Sequence, residues 1–315
     1  MKKLLAILMI CVMSVSSAAF AADFVDMPND WSTTAIENAV ENGLMTGSNG
    51  YVYPNNNMTR AEMATIMVRA CGATNDADIS AFTDVSTADW FYSSMSKAVA
   101  MGAFNGSDNK LNPDNNITRQ EAFVVLSRVF GLDTNEKIDV SVIDTFKDSD
   151  QVADWARSGV AAIISKGYVG GADGYLNPTA NITRAEFAVV MDRLVKYYID
   201  DPETTTLPSD GNVMIRVGGL KLDGVKSENL VVIGDGVGTS EMSMVNADLT
   251  DALVVRGGAN VMVDGAFASI KIIMPNLRVE GNPSRIKKVH VCKNSTYSMG
   301  NLLLNDKPAE EQNEQ

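Results

Sequence analysis

The tetrad Thr-Arg-x-Glu occurs three times in fixed surroundings, at Thr59-Arg60-Ala61-Glu62, Thr118-Arg119-Gln120-Glu121 and Thr183-Arg184-Ala185-Glu186. Counted from Trp31, Trp90 and Trp155, the same residue classes return at identical offsets. They are an apolar residue (Ile36, Met95, Val160), a glycine (Gly43, Gly102, Gly167), a proline (Pro54, Pro113, Pro178), the tetrad, and a closing arginine (Arg69, Arg128, Arg193). Phe-x-Asp precedes each tryptophan (Phe24/Asp26, Phe82/Asp84, Phe146/Asp148), with the aspartate five, six or seven residues upstream. A repeat of this length constrains the fold strongly, because one unit cannot bury its own apolar face and must pack on its neighbours. It also multiplies by three any site it carries.

Each unit reads as two helices around a turn. Trp31, Ala35, Ile36, Ala39 and Val40 fall on one face at helical spacing, as do Trp90, Met95, Ala98 and Val99, and Trp155, Val160, Ile163 and Ile164. Gly43, Gly102 and Gly167 stand where a glycine ends a helix. Gly47-Ser48-Asn49-Gly50, Gly106-Ser107-Asp108-Asn109 and Gly171-Ala172-Asp173-Gly174 are tight-turn sequences. In the tetrads, threonine at the N-cap and glutamate three residues on form a capping box, so helix initiation explains both. It does not explain the arginine between them.

The amino terminus has Lys2 and Lys3, an apolar run from Leu4 to Val15, and small residues ending at Ala19-Phe20-Ala21. This is the layout of a secretory signal peptide, with cleavage expected after Ala21. No later run approaches the roughly 20 apolar residues of a membrane helix. The 39 acidic residues outnumber 26 basic ones, and loss of Lys2 and Lys3 deepens the imbalance by two. So acidic a chain is a poor nucleic-acid partner, since phosphate binding leans on a basic patch. After the signal only Cys71 and Cys292 remain, which is no disulfide framework.

Asp200 to Asp210 has the composition of a linker. Beyond it, short β-rich runs (Val213 to Val217, Leu230 to Ile233, Leu253 to Val255, Val261 to Val263, Ile270 to Ile273, Leu277 to Val279) alternate with glycine and aspartate turns. They predict an all-β domain of strands three to five residues long, a short parallel solenoid in preference to a sandwich. His290, the single histidine, reads as a solvent-facing strand residue. The chain divides into a signal peptide (1–21), repeats at 22–75, 76–135 and 136–199, a linker (200–210), the β domain (211–304) and a disordered tail (305–315).

Phe-x-Asp, Trp, the apolar helix, Gly, the glycine-rich turn, Pro and Thr-Arg-Ala-Glu, in three consecutive copies over residues 24–196, resemble the S-layer homology (SLH) domain. The resemblance implies an all-α, helix-loop-helix bundle with pseudo-threefold symmetry. It also implies non-covalent binding of a secondary cell-wall polysaccharide, typically pyruvylated, in grooves between repeats, and a protein held at the cell wall or surface layer. Carried over by position, the ligand falls on Arg60, Arg119 and Arg184, aided by Gly47-Ser48 and Gly106-Ser107 through backbone and hydroxyl donors. The third copy, with Gly170-Gly171-Ala172, lacks the hydroxyl. Gln120 replaces the usual alanine, without consequence if it faces solvent.

The chemistry agrees with that implication. An arginine at the first turn of a helix sits beside free N–H groups that favour an anion, and its planar fork can hold a carboxylate by two parallel bonds. Each residue has a plainer reading as well. The arginines could form salt bridges with a neighbouring carboxylate. Trp31, Trp90 and Trp155 fit the core at least as well as a sugar wall, and Asp26, Asp84 and Asp148 fit caps or turn formers of the first helix better than sugar contacts. Arg69, Arg128 and Arg193 read as structural. No metal or cofactor is expected, since Asp108 and Asp173 lack the spaced oxygen ligands of a calcium loop.

The favoured function is a non-enzymatic wall anchor displaying the β domain, with self-association in a surface layer left open. The alternative is a wall-anchored polysaccharide-active enzyme whose solenoid is catalytic. A link between an outer membrane and peptidoglycan fits less well, because the residues after the repeats are too few for the usual barrel.

Overall fold

A computed structural model of the chain describes residues 24–132, 138–281, 285–292, 295–299 and 302–304. The expected signal peptide (1–21) and tail (305–315) lie outside the described residues. Among the described residues the repeats supply six α-helices: α1 (Thr33–Glu41) and α2 (Arg60–Cys71), α3 (Tyr92–Ala100) and α4 (Arg119–Val129), α5 (Arg157–Ser165) and α6 (Arg184–Leu194). Both halves of the capping box are formed at Thr59/Glu62, Thr118/Glu121 and Thr183/Glu186. Gly43, Gly102 and Gly167 follow the first helices with φ of 68°, 69° and 76°, the left-handed stop a glycine takes without strain.

The two helices of a repeat are not each other's main partners. α2 packs on α3, α4 on α5, and α6 closes the circle on α1. At the centre three backbone bonds form a ring: Met58 N–H to Ile182 O (2.9 Å), Ile182 N–H to Ile117 O (3.0 Å), and Ile117 N–H to Met58 O (2.9 Å). All three side chains are fully buried. No repeat therefore completes its core or its polar pairing alone. The pseudo-threefold axis follows from that closure.

The same closure corrects the expectation of free N–H groups at the tetrad helices. Arg60 and Ala61 donate their N–H groups to Asn115 O and Pro113 O of the second repeat. Arg119 and Gln120 donate to Ala180 O and Pro178 O of the third, and Arg184 and Ala185 to Asn56 O and Pro54 O of the first. The third N–H of each helix goes to the threonine hydroxyl. The proline segment of one repeat thus seals the helix start of another, and the anion-binding capacity of that start is spent inside the fold. Gln120 is also buried, its carbonyl accepting from Ala153 N–H at 3.0 Å, and does not face solvent.

Eleven strands follow: β1 (Tyr197–Ile199), β2 (Val213–Ile215), β3 (Lys221–Asp223), β4 (Lys226–Ser227), β5 (Val231–Ile233), β6 (Glu241–Val255), β7 (Asn260–Ile272), β8 (Arg278–Gly281), β9 (Arg285–Val291), β10 (Thr296–Met299) and β11 (Leu302–Leu304). Every described pairing is parallel except the closing β10–β11 pair, and β6 receives β3, β4 and β5 along its length. This is the expected parallel β-solenoid, with an inner core that includes Ile215, Leu222, Val231, Met244, Leu253, Val263, Phe267 and Ile270. The expected strand length is wrong for β6 and β7, which run 15 and 13 residues through the corners. Their register shifts at Met244/Ala247 show where the turn is absorbed. Gly265 (φ 131°) occupies that corner, where an added Cβ would lie 2.1 Å from Ala247 O. His290 is half-buried beside Lys271, on the neighbouring strand. Burial and that lysine both push its pKa down, so the open solvent face expected for it is not observed.

The expected boundary and linker also change. Tyr197–Ile199, inside the third-repeat span 136–199, already pairs with Val213–Ile215, so residues 200–210 form a loop between two strands of one sheet. The loop is tied at both ends, by Asp200 to Arg216 and by Asp210 to Lys196 and Tyr197. One face of the solenoid (Met214, Leu230, Val232, Ala252, Val254) joins the core of the helical bundle. Solenoid cations meet the C-terminal ends of the bundle helices, where the helix dipole favours positive charge. Arg216 donates to Asn42 O and Arg69 O at the ends of α1 and α2. Arg256 donates to Met101 O and Val129 O at the ends of α3 and α4, and Lys271 to Gly131 O. Cys71 is buried at this junction, and burial pushes its thiol pKa up to about 12, so it is inert.

Candidate functional site

Each tetrad arginine crosses a repeat boundary. Arg60 Nε donates to Leu111 O of the second repeat at 3.0 Å, Arg119 Nε to Leu176 O of the third at 2.9 Å, and Arg184 Nε to Val52 O of the first at 2.9 Å. The accepting segments are held by the Phe-x-Asp aspartates. Asp26 accepts from Val52 and Tyr53 N–H, Asp84 from Leu111 and Asn112 N–H, and Asp148 from Leu176 and Asn177 N–H, all at 2.7–2.9 Å. These aspartates are therefore clamps on the segment before the proline, not caps of the first helix. The order is the same three times: aspartate fixes segment, segment carbonyl fixes arginine.

Beyond Nε the three guanidinium groups diverge. Arg119 Nη1 pairs with Glu186 at 2.8 Å, and Arg184 Nη1 with Glu62 at 3.4 Å. In both, the glutamate uses its other oxygen for the capping box. The salt-bridge reading therefore holds for two of the three, with the partner supplied by the next repeat. Arg184 Nη2 is also committed, to Thr46 O at 3.0 Å. Arg60 has no ion pair among the described residues and lies over the Phe104 ring, 5.1 Å from its centroid. Burial lowers the pKa of Arg60 and Arg184 from the ordinary guanidinium value. Glu121 and Asp84 oppose this at Arg60, as do Glu62 and Asp26 at Arg184. Both remain cations, and a partly desolvated cation attracts a carboxylate more strongly than one in bulk water.

The tryptophans are not core residues. Trp31, Trp90 and Trp155 are 65%, 66% and 61% exposed, because each precedes its helix (the helices begin at Thr33, Tyr92 and Arg157) and falls outside the buried stripe. A groove of about 260 Å³ joins parts of all three repeats: Gly47 and Ser48 from the first, Trp90 from the second and Arg184 from the third. Arg69 and Glu62 of α2 also line it. The structural role expected of Arg69 is observed, since it ties α2 to Leu44 O at 3.1 Å, as Arg128 ties to Ala103 O and Arg193 to Tyr168 O. Its recurrence at a fixed offset was the signal that it belongs to the same constellation as the tetrad.

The Gly-Ser pairs contribute less backbone than expected. Ser48 and Ser107 N–H donate across type I′ turns to Tyr51 O and Lys110 O, leaving the exposed hydroxyls to face outward. The glycines serve packing. A Cβ on Gly47 would lie 2.1 Å from the Phe24 ring, and one on Gly106 2.1 Å from the Phe82 ring. Gly47→Ala is expected to lower stability by about 1–3 kcal/mol through overpacking, measured as a fall in urea midpoint. A midpoint unchanged from wild type would show that Phe24 yields freely. The corresponding turn of the third repeat, Ala172–Tyr175, has alanine where the other two have serine and so lacks the serine hydroxyl.

Three stretches, residues 23–64, 81–123 and 145–188, match the S-layer homology domain. Among curated relatives, the chain is 30% identical to the amylopullulanase of Thermoanaerobacterium thermosulfurigenes over 57% of its own length and 10% of that protein's. It is 31% identical to the surface-layer 125 kDa protein of Lysinibacillus sphaericus over 59% of its length and 16% of the relative's. With the S-layer protein sap of Bacillus anthracis it shares 26% identity over 58% and 22%, respectively. The chain thus spans less than a quarter of each of these relatives, and the family match stops before the solenoid. SLH domains and S-layer relatives place the protein at the cell surface or cell wall. The tetrads, the cyclic closure and the family match agree, and the chain is an S-layer homology domain protein with three tandem copies.

Proposed function

We propose that the protein fastens itself non-covalently to a secondary cell-wall polysaccharide, with the inter-repeat arginines seating carboxylates of the polymer, as a pyruvate ketal on a sugar would supply. The observation that carries this reading is the groove in which Arg184, Ser48 and Trp90, drawn from three repeats, face one cavity. A forked cation, a hydroxyl and an exposed indole are the groups a charged pyranose requires. Arg60, with no ion pair among the described residues, is the most open of the three anion seats. Arg119 and Arg184 share their charge with Glu186 and Glu62. Several seats on one rigid body engage one polymer with an affinity none reaches alone. The solenoid, docked on the opposite ends of the helices, is the non-catalytic body that this anchor displays.

Co-sedimentation tests the reading. The full chain should pellet with isolated walls of the bacterium that makes it, and stay in solution with the same walls stripped of secondary polysaccharide. Equal pelleting with both preparations, or with neither, would contradict it.

A further inference from the structure

The first repeat differs from the other two at a position where folding gives no reason for the difference. Tyr53 follows Val52, whose carbonyl holds Arg184, and its backbone is left-handed, with φ of 53°. The matching residues of the other repeats, Asn112 and Asn177, have φ of 51° and 53°. Asparagine enters this region readily, whereas a bulky aromatic is an outlier there. All three repeats build the same backbone, and only the first places a ring on it against conformational preference. Strain kept at one of three equivalent positions points to use.

The surroundings of that ring indicate the use. Tyr53 lines the groove with Trp90 and Arg184 and is 36% exposed. It stacks on Tyr51, with ring centroids 5.7 Å apart and planes at 25°. The second repeat has Lys110 and Asn112 at these two positions and the third has Tyr175 and Asn177, so the tyrosine pair is particular to the first. We propose that Tyr53, backed by Tyr51, is a stacking subsite for a neutral sugar ring adjoining the charged one at Arg184. The inference rests on the glycan-binding reading above. An aromatic face is negative and rigid, and the C–H face of a pyranose is apolar, so the two pack with little loss of freedom. Arg184 is the most committed of the three guanidinium groups, and stacking supplies what its anion seat offers least.

Tyr53→Asn, which installs the residue of the sister repeats, separates binding from folding. The probe is polysaccharide released from the walls of the source bacterium, titrated calorimetrically into the full-length protein. The variant should unfold at the same temperature as wild type or higher, while its affinity falls about three- to tenfold, and Tyr53→Phe should bind as wild type does. Wild-type affinity in Tyr53→Asn, alongside impaired binding by Arg60→Lys, would overturn the platform and leave the anion seats standing. Absence of binding by the wild type would overturn both.

Discussion

Arg256→Ala is expected to cost about 3–5 kcal/mol of stability, because it strands a buried charge. Arg256 is 4% exposed. It donates from Nε to Asp235 at 2.6 Å, from Nη1 to Val129 O at 2.9 Å and from Nη2 to Met101 O at 2.7 Å. Burial alone would lower its pKa, but Asp235 and Cys71 outweigh burial and raise it. Truncation leaves Asp235 (8% exposed) without its counter-ion and the carbonyls ending α3 and α4 without their donor. The double variant Arg256→Met with Asp235→Asn should recover part of the loss, because no uncompensated charge remains. Urea unfolding of the full chain measures both. A cost below about 1 kcal/mol, the range of exposed pairs, would contradict this account of the docking.

The second large effect concerns the arginines. Substitution by lysine keeps the charge and removes the planar fork, including the Nε–H that fixes each side chain to Leu111 O, Leu176 O or Val52 O. A lost charge-assisted bond is worth about 1.5–3 kcal/mol, so Arg60→Lys should weaken polymer binding by roughly ten- to a hundredfold. Arg119→Lys and Arg184→Lys should cost less, since those forks are already shared with glutamates. The triple variant should lose more than a hundredfold, because linked seats multiply. A triple variant that binds the polymer as wild type does would sink the site assignment, provided circular dichroism shows it folded.

Local chemistry was legible in the sequence, and chain closure was not. The capping boxes, the glycine stops and the turns at Asn49-Gly50 and Asp173-Gly174 depend on residues a few positions apart. The solenoid showed in its runs of β-branched residues. What the sequence concealed depends on which segment lies next to which. A free helix start looks the same as one sealed by Pro113 O and Asn115 O until the second repeat is in place. Asp26 resembled a cap of the nearby helix, yet its partners are 26 and 27 residues away. Trp31 kept the spacing of the apolar stripe while standing before the first helical residue. Residues 200–210 read as a linker because composition carries no record of Arg216 holding Asp200 or of Lys196 holding Asp210. The tetrad itself divides cleanly. Threonine and glutamate start the helix, the glutamate also receives the preceding repeat's arginine in two of three cases, and the arginine reaches across the repeat boundary.

The role proposed for these arginines is to seat carboxylates of the wall polymer. Its most direct test is a cycle between protein and ligand: affinities of wild type and of the Arg60→Lys/Arg119→Lys/Arg184→Lys variant for the released polysaccharide, before and after mild acid removes its ketal carboxylates. Deketalisation is expected to lower wild-type affinity toward that of the variant and to leave the variant nearly unchanged. Equal losses in wild type and variant would contradict it, because the arginines and the carboxylates would then act independently.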